Sequence, residues 1–321
     1  MTVPPASRPF LPNILGILLG KSTESDIARF PFEQSGRNGH RYHGVVPELP
    51  EMQALSERLD DAFAGARIER VMPLQFSALK TVAPMYDTLN GQRLTGVGRR
   101  GKFLVVELER ARVLVHLSQG GRVDIEKPAK TTRAKGAVVR FVFAKNGLLV
   151  KEFGTERKAA WWVLAPGEEG PLAALGPEPD SKEFADLIRI GTDTRRVHTM
   201  LRDQHTVAGI GRGYSDDILH HARLSPYASL ASLSEEQREV LLASVQEVLA
   251  EGLLEERKRA GGLPAKVGDH WIVHGKYGTP CPRCGADLRR VSYESHEVTY
   301  CPDCQTGGKI LADRRMSRLI K

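Results

Sequence analysis

The sequence predicts an α+β protein of several domains: a β-sandwich or barrel with a helix at its edge, then a helical domain, then a small module clamped by cysteines. Three observations carry this. Between Pro47 and about residue 165, short β-prone runs are separated by turn residues. After a Gly/Pro-rich linker at 166–180, the apolar spacing changes to the helical period. All four cysteines then fall in the last fifth of the chain, as two Cys-x-x-Cys pairs.

Composition narrows the function classes. A chain of 321 residues has room for two or more domains with buried cores. A net charge of +7 favours a polyanionic partner. Four late cysteines argue against a secreted disulfide framework. No apolar run reaches transmembrane length, so no membrane role is expected. Leu11–Leu19 is apolar but short, with only Arg8 as a charged side chain before it and no clear cleavage site after it. Residues 1–46 hold no catalytic constellation and are expected to be poorly ordered or not part of the translated protein.

The first domain opens on Val46-Pro47-Glu48-Leu49-Pro50-Glu51-Met52. Leu55, Leu59 and Phe63 follow at a spacing of four, one face of an amphipathic helix. A proline and an acid thus stand at a helix start, where both are favoured in any case. Phe103–Leu108, Val113–Leu117 and Val138–Phe143 read as strands, and Asn146-Gly147 as a hairpin turn. Arg99-Arg100-Gly101-Lys102 is a basic cluster at a strand start and, by itself, a solvated turn.

In the helical domain, Lys182–Ile190 and Arg195–Gln204 are short periodic segments, the second with Val197, Met200 and Leu201 on one side. Ser234-Glu235-Glu236-Gln237 is a capping box opening a helix faced by Leu241, Val245, Val248 and Leu249. Between these lie Gly209, Gly211 and Gly213, leading into a helical pattern. Such a turn can present bare N–H groups beside a helix N-terminus, a phosphate site. A nucleotide-cofactor loop competes, but no β-rich run precedes the glycines as a dinucleotide fold requires.

Cys281-Pro-Arg-Cys284 and Cys301-Pro-Asp-Cys304 are sixteen residues apart. This spacing suits one tetrahedral Zn²⁺ held by four thiolates, with two redox dithiols as the alternative. With all four positions filled by protein, the metal would be structural.

Taken in order, Val-Pro-Glu-Leu-Pro-Glu before a helix, Gly101-Lys102-Phe103, Ala208-Gly209-Ile210-Gly211 running to Tyr214, and the residues flanking the cysteines resemble the formamidopyrimidine-DNA glycosylase and endonuclease VIII family. Leu49 resembles the formamidopyrimidine branch. The resemblance implies an N-terminal β-sandwich with an edge helix (47–165), the 166–180 linker, a helix–two-turn–helix DNA-binding domain (181–268) and a C-terminal β-hairpin zinc finger with a basic tail (269–321). It implies that Pro47 attacks the sugar of a damaged nucleotide, that Glu48 is acid/base there, that Lys102 contacts the backbone and assists elimination, and that the finger-tip position, His296, contributes to a second elimination. DNA contacts would come from His116, Gln119, Arg157, Lys158, Gly209, Gly211 and Arg212, and tethering from Lys309, Arg314, Arg315, Arg318 and Lys321.

Several positions depart from the family pattern. Gln119 replaces a methionine wedge, Lys158 an aromatic one, Arg212 an asparagine and His296 an arginine. Wedges help offset the few kcal/mol of base extrusion, so damaged DNA that is abasic or single-stranded is the expected partner. The resemblance further implies a monomer in the bacterial cytoplasm, associated with the nucleoid. A damaged-DNA-binding protein lacking base excision is the alternative.

The imine chemistry has one requirement. An internal proline nitrogen is an amide, its lone pair delocalised into the carbonyl, whereas a free α-amine has a pKa of roughly 7.7–8 and is substantially unprotonated at neutral pH. Translation from a valine codon at position 46, read as methionine and then removed, would expose Pro47 and make residues 1–46 a gene-model artefact.

Overall fold

A computed structural model describes residues 46–153, 157–264, 266–293 and 296–312. The expectations for residues 1–45, for Gly154–Glu156 and for Arg314, Arg315, Arg318 and Lys321 fall outside the described residues.

Helix α1 (Leu49–Phe63) starts where the sequence places it. Glu48 is its extended N-cap, and Pro50 lies in its first turn, where a missing N–H is harmless. Met52, Leu55, Leu59 and Phe63 are almost fully buried and pack into the first core. Eight strands follow: β1 (Ile68–Pro73), β2 (Leu94–Arg100), β3 (Phe103–Leu108), β4 (Arg112–His116), β5 (Gly121–Glu126), β6 (Ala137–Phe143), β7 (Gly147–Glu152) and β8 (Ala160–Leu164). They form two antiparallel four-stranded sheets, ordered β1-β6-β7-β5 and β2-β3-β4-β8, a sandwich and not a closed barrel. The Asn146-Gly147 signal is the β6–β7 connection, with Phe143 N–H donating to the Asn146 carbonyl at 2.9 Å.

Alternation along β3 sends Leu104, Val106 and Leu108 into the main core. Val105 faces the other way, into a smaller cluster with Leu114, Trp162 and Leu172. Leu172 belongs to the expected linker, which therefore packs on the sheet instead of running free. Deep in the sandwich, Arg140 donates to both carboxylate oxygens of Glu126 at 2.8 and 3.1 Å.

The helical domain comprises α2 (Lys182–Ile190), α3 (Val197–Arg202), α4 (Arg212–His221) and α5 (Glu235–Arg257) around a second core. Ser234 and Gln237 form the α5 capping box as read from sequence. Beyond it, β9 (Arg289–Tyr293) and β10 (His296–Tyr300) pair antiparallel, and α6 (Pro302–Thr306) closes the cysteine module. Two adjacent acids of α4 tether that module. Asp217 accepts the backbone N–H groups of Ile272, Val273 and His274 at 2.6–3.1 Å. Asp216 accepts Thr299 N–H at 3.0 Å and lies 2.6 Å from His274 Nδ1.

Candidate active site

The site forms where the start of α1 meets the start of α4. Pro47 and Glu48 are both buried, Glu48 to 2% exposure. The Glu48 carboxylate accepts the backbone N–H groups of Gly211, of Gly213 at 2.8 Å and of Tyr214 at 3.4 Å. Unbonded N–H groups and the positive end of a helix dipole make such a terminus an anion site, and here the anion is supplied by the other domain. In this structure the N–H groups of Gly211 and Gly213, in the turn expected to cradle a phosphate, hold Glu48.

The three alternating glycines are explained by what approaches them. A Cβ at Gly209 would lie 2.9 Å from Leu49, at Gly211 2.5 Å from both Glu48 Cδ and Lys102 Nζ, and at Gly213 2.2 Å from the Trp271 ring. Gly209 also has φ +99°, and its carbonyl accepts Leu49 N–H at 2.9 Å. Gly209 and Gly211, expected at DNA, thus fit α1 against α4. Arg212, beside them, is exposed.

Lys102 sits in the β2–β3 turn, partly buried, its Nζ beside the Glu48 carboxylate across Gly211. Burial lowers its pKa, Glu48 and Glu51 oppose that, and Arg202 adds to the fall. The neighbouring arginines are not a solvated basic turn. Arg99 and Arg100 both pair with Glu178 of the linker, Arg100 at 2.7 Å, and Glu178 also takes Gly101 N–H at 2.8 Å. Burial works against the Glu178 carboxylate, but Arg99, Gly101 and Arg100 hold its pKa below the usual range.

His116 ends β4 opposite Phe103, ring centroids 4.8 Å apart. Burial, then Lys102, push its pKa down to about 4, so the ring is neutral at pH 7. Gln119 is exposed in the β4–β5 connection. Arg157 and Lys158 are exposed, and Glu152 fixes the backbone there by accepting Lys158 N–H at 2.7 Å. Lys309 is exposed. His296 opens β10, and its side chain lies outside the described residues.

Residues that the motif reading gave no role also converge here. Glu51 is fully buried and accepts Glu48 N–H at 2.9 Å. Tyr214 Oη is 3.1 Å from Glu51 and 2.7 Å from His270 Nε2, and His270 in turn faces Glu256. Glu51 and Tyr214 stand inside the quoted motifs. No spacing signal marks His270 or Glu256.

The four cysteine sulfurs lie within 4.8 Å of one another, with Cys284–Cys301 at 3.4 Å and Cys281–Cys304 at 3.9 Å. A tetrahedron with metal–sulfur bonds of ~2.3 Å has edges of about 3.8 Å, so the set could hold one metal ion. His220 Nε2 lies 3.2 Å from Cys281 Sγ, the kind of outer partner that orients a thiolate ligand.

With this geometry in hand, comparison places the chain. The formamidopyrimidine-DNA glycosylase N-terminal domain matches residues 46–159, and the H2TH domain of the same enzymes matches 175–261. A formamidopyrimidine-DNA glycosylase of Heliobacterium modesticaldum is 31% identical over 287 residues, covering 81% of this chain and 100% of the relative. An uncharacterized formamidopyrimidine-DNA glycosylase-like protein of Mycobacterium tuberculosis is 42% identical over 154 residues, 46% of this chain and 95% of that one. Among solved structures, a Lactococcus lactis FPG mutant bound to a Fapy-dG containing DNA superposes with TM-score 0.72 at 26% identity, covering 81% of this chain and 100% of that one. The Lactococcus protein with a THF-DNA and an inhibitor gives 0.74 at 25% identity, with the same coverage. Two domain matches in order and relatives matched along their whole length make this chain a member of the formamidopyrimidine-DNA glycosylase family.

Proposed function

We propose that the protein is a DNA repair glycosylase with abasic-site lyase activity, acting on oxidised or abasic sites through an imine at Pro47. One observation carries the reading: Pro47 and Glu48 stand at the tip of α1, with the Glu48 carboxylate and the Lys102 ammonium side by side at the mouth of α4. The Pro47 nitrogen attacks the anomeric carbon as the glycosidic bond breaks, and the base leaves with the bonding pair. Glu48 handles the proton at the sugar. Lys102 holds the strand phosphate and assists elimination, and burial, which lowers its pKa, eases release of its proton. Covalent catalysis of this kind divides one hard step into two easier ones. His116, Gln119, Arg157, Lys158 and Arg212 are the proposed contacts to DNA, and His296 the finger residue nearest the second elimination. Cys281, Cys284, Cys301 and Cys304 would hold one structural Zn²⁺, which supplies folding energy to the finger and no chemistry.

The working enzyme must begin at Pro47, since a proline acylated by Val46 has no nucleophilic lone pair. Borohydride reduction on abasic DNA tests the reading. A covalent adduct that is lost in Pro47→Gly and Glu48→Gln supports the lyase. Absence of adduct from protein with a verified Pro47 terminus supports the alternative, a damaged-DNA binder, which the polar residues at Gln119 and Lys158 favour.

A further inference from the structure

Glu51, the second carboxylate of the opening motif, lies at the inner end of a hydrogen-bonded chain that the chemistry above leaves unused. Its Oε2 accepts Glu48 N–H at 2.9 Å, and its Oε1 is 3.1 Å from Tyr214 Oη. Tyr214 Oη is 2.7 Å from His270 Nε2, and His270 Nδ1 is 3.5 Å from Glu256 Oε1. Glu51 and Glu256 are 0% exposed, whereas the His270 side chain is 14% exposed. Four separate pieces of chain thus converge on a line from the base of Pro47 towards solvent.

The chain has a direction. Glu256 Oε1 lies 3.5 Å from His270 Nδ1, at ion-pair distance without hydrogen-bond geometry. Its negative charge favours the imidazole proton on that nitrogen, leaving Nε2 to accept the Tyr214 hydroxyl at 2.7 Å. With its hydroxyl proton directed to His270 Nε2, Tyr214 Oη accepts from a protonated Glu51; an ionised Glu51 would instead accept the hydroxyl at the same 3.1 Å contact. Protonating Nε2 instead would turn a lone pair on the Glu256 carboxylate. Burial, then Glu48 and Glu256, push Glu51 up to about 8. Burial lowers His270 against the opposing charge of Glu256 and Asp269. The resting proton therefore belongs on Glu51. A divalent cation is disfavoured at this carboxylate cluster because Arg259 donates to Glu256 at 2.9 Å and Arg58 adds a second positive charge.

We propose that Glu51, Tyr214, His270 and Glu256 form a proton relay that empties Glu51 when positive charge develops at Pro47. This rests on the imine chemistry of the proposed function. As the Pro47 nitrogen becomes an iminium, the Glu51 Oε1–H bond breaks towards Tyr214 Oη while the Tyr214 proton passes to His270 Nε2. Glu51 ends as a carboxylate hydrogen-bonded to the Glu48 amide that follows Pro47, Tyr214 is unchanged, and His270 is an imidazolium facing Glu256. No electrons change hands. Glu48 and Lys102 are the other charges facing Glu51; Arg58, Arg259, Asp269 and Glu255 face the outer pair.

The test is infrared difference spectroscopy with ¹⁵N NMR on protein with a verified Pro47 terminus. At pH 7, without DNA, a protonated-carboxyl band should be present, absent from Glu51→Gln, and His270 should be the Nδ1–H tautomer. On reaction with abasic DNA the band should bleach in the wild-type protein and persist in Tyr214→Phe, which keeps the ring and removes the relay hydroxyl. A missing band, an Nε2–H tautomer, a band that survives a trapped wild-type adduct, or equal bleaching in Tyr214→Phe would each overturn the relay. If no adduct forms at all, the lyase reading fails by itself, while the DNA-free spectra still decide where the proton rests.

Discussion

The Glu48 carboxylate at the tip of α1 accepts the Gly213 backbone N–H at the start of α4, 165 residues along the chain, at 2.8 Å. One side chain thus satisfies the end of one helix while fixing the start of another. Removing it should be costly in two currencies, stability and chemistry. Glu48→Ala leaves buried N–H groups of Gly211 and Gly213 without an acceptor, at roughly 1–3 kcal/mol each. Glu48→Gln keeps one acceptor oxygen, but its NH₂ replaces the other and faces a backbone N–H, so it loses the charge at the helix end, about 0.3–2 kcal/mol, and one of the two accepting oxygens. Both should abolish the borohydride adduct, and denaturant unfolding should rank alanine well below glutamine. Equal stability of Glu48→Ala and wild type would mean that the carboxylate does not cap α4.

Gly211→Ala should abolish DNA-adduct formation, because its Cβ would lie 2.5 Å from both Glu48 and Lys102. Gly209→Ala should instead destabilise the protein, combining φ +99° with a Cβ 2.9 Å from Leu49; backbone strain of this kind costs on the order of 1–3 kcal/mol. Gly65, at φ +79° with nothing within 4 Å, is the control. Gly65→Ala carries the strain without the clash and should fall short of Gly209→Ala in thermal unfolding.

The sequence made the architecture readable for simple reasons. Period-two and helical apolar spacing, the Asn146-Gly147 turn, the Ser234 capping box and the two cysteine pairs are all local signals, and each corresponds to an element found in the fold. The active-site pairing was legible only in part. Pro47, Glu48 and Lys102 stand in recognisable motifs, but the use of the glycine turn to hold Glu48 depends on a contact between domains that no local pattern encodes. Glu178 likewise sits in a Gly/Pro-rich linker, where composition says loop and says nothing of two arginines waiting to be neutralised. His270 and Glu256 meet through folding alone.

Glu51 also makes a pH prediction. Its folded pKa is raised from 4.5 to about 8 by burial, Glu48 and Glu256. Between those values the folded protein holds a proton that the unfolded chain has released, so stability falls as pH rises, at about 1.4 kcal/mol per unit for a single group. The fall should end above about 8, where both states are ionised. Glu51→Gln can still accept Glu48 N–H and should flatten that slope in urea titrations across this range. An unchanged slope would mean that Glu51 is ionised in the native protein.

Stripping the metal from the cysteine module should unfold it, because four neighbouring thiolates lose the charge that holds them together. The module is small, with Val273, Cys281, Leu288 and Cys301 as its core. Chelation should therefore disturb the β9–β10 hairpin in circular dichroism and weaken DNA binding, while the sandwich survives. DNA affinity that persists after complete metal removal would place the finger outside the interface. One equivalent of released zinc per chain, measured by a chromogenic chelator, would identify the ion.

The last prediction concerns substrate choice. Extruding a base from intact duplex costs a few kcal/mol, least at abasic or unpaired sites, and inserted apolar side chains help offset it. Here the exposed residue between β4 and β5 is Gln119, and the exposed pair beyond β7 is Arg157 and Lys158. Polar side chains can contact phosphate and orphaned base edges, but they replace stacking poorly. Abasic and single-stranded substrates should therefore react faster than oxidised purines in duplex. Binding to all of them should weaken steeply with salt, as phosphate contacts release counterions. Gln119→Met should narrow the gap by speeding duplex excision, and Gln119→Ala should leave it nearly unchanged. Single-turnover rates on matched duplex and single-stranded oligonucleotides make the comparison; efficient wild-type excision of oxoguanine from duplex would show that the void is filled by other residues.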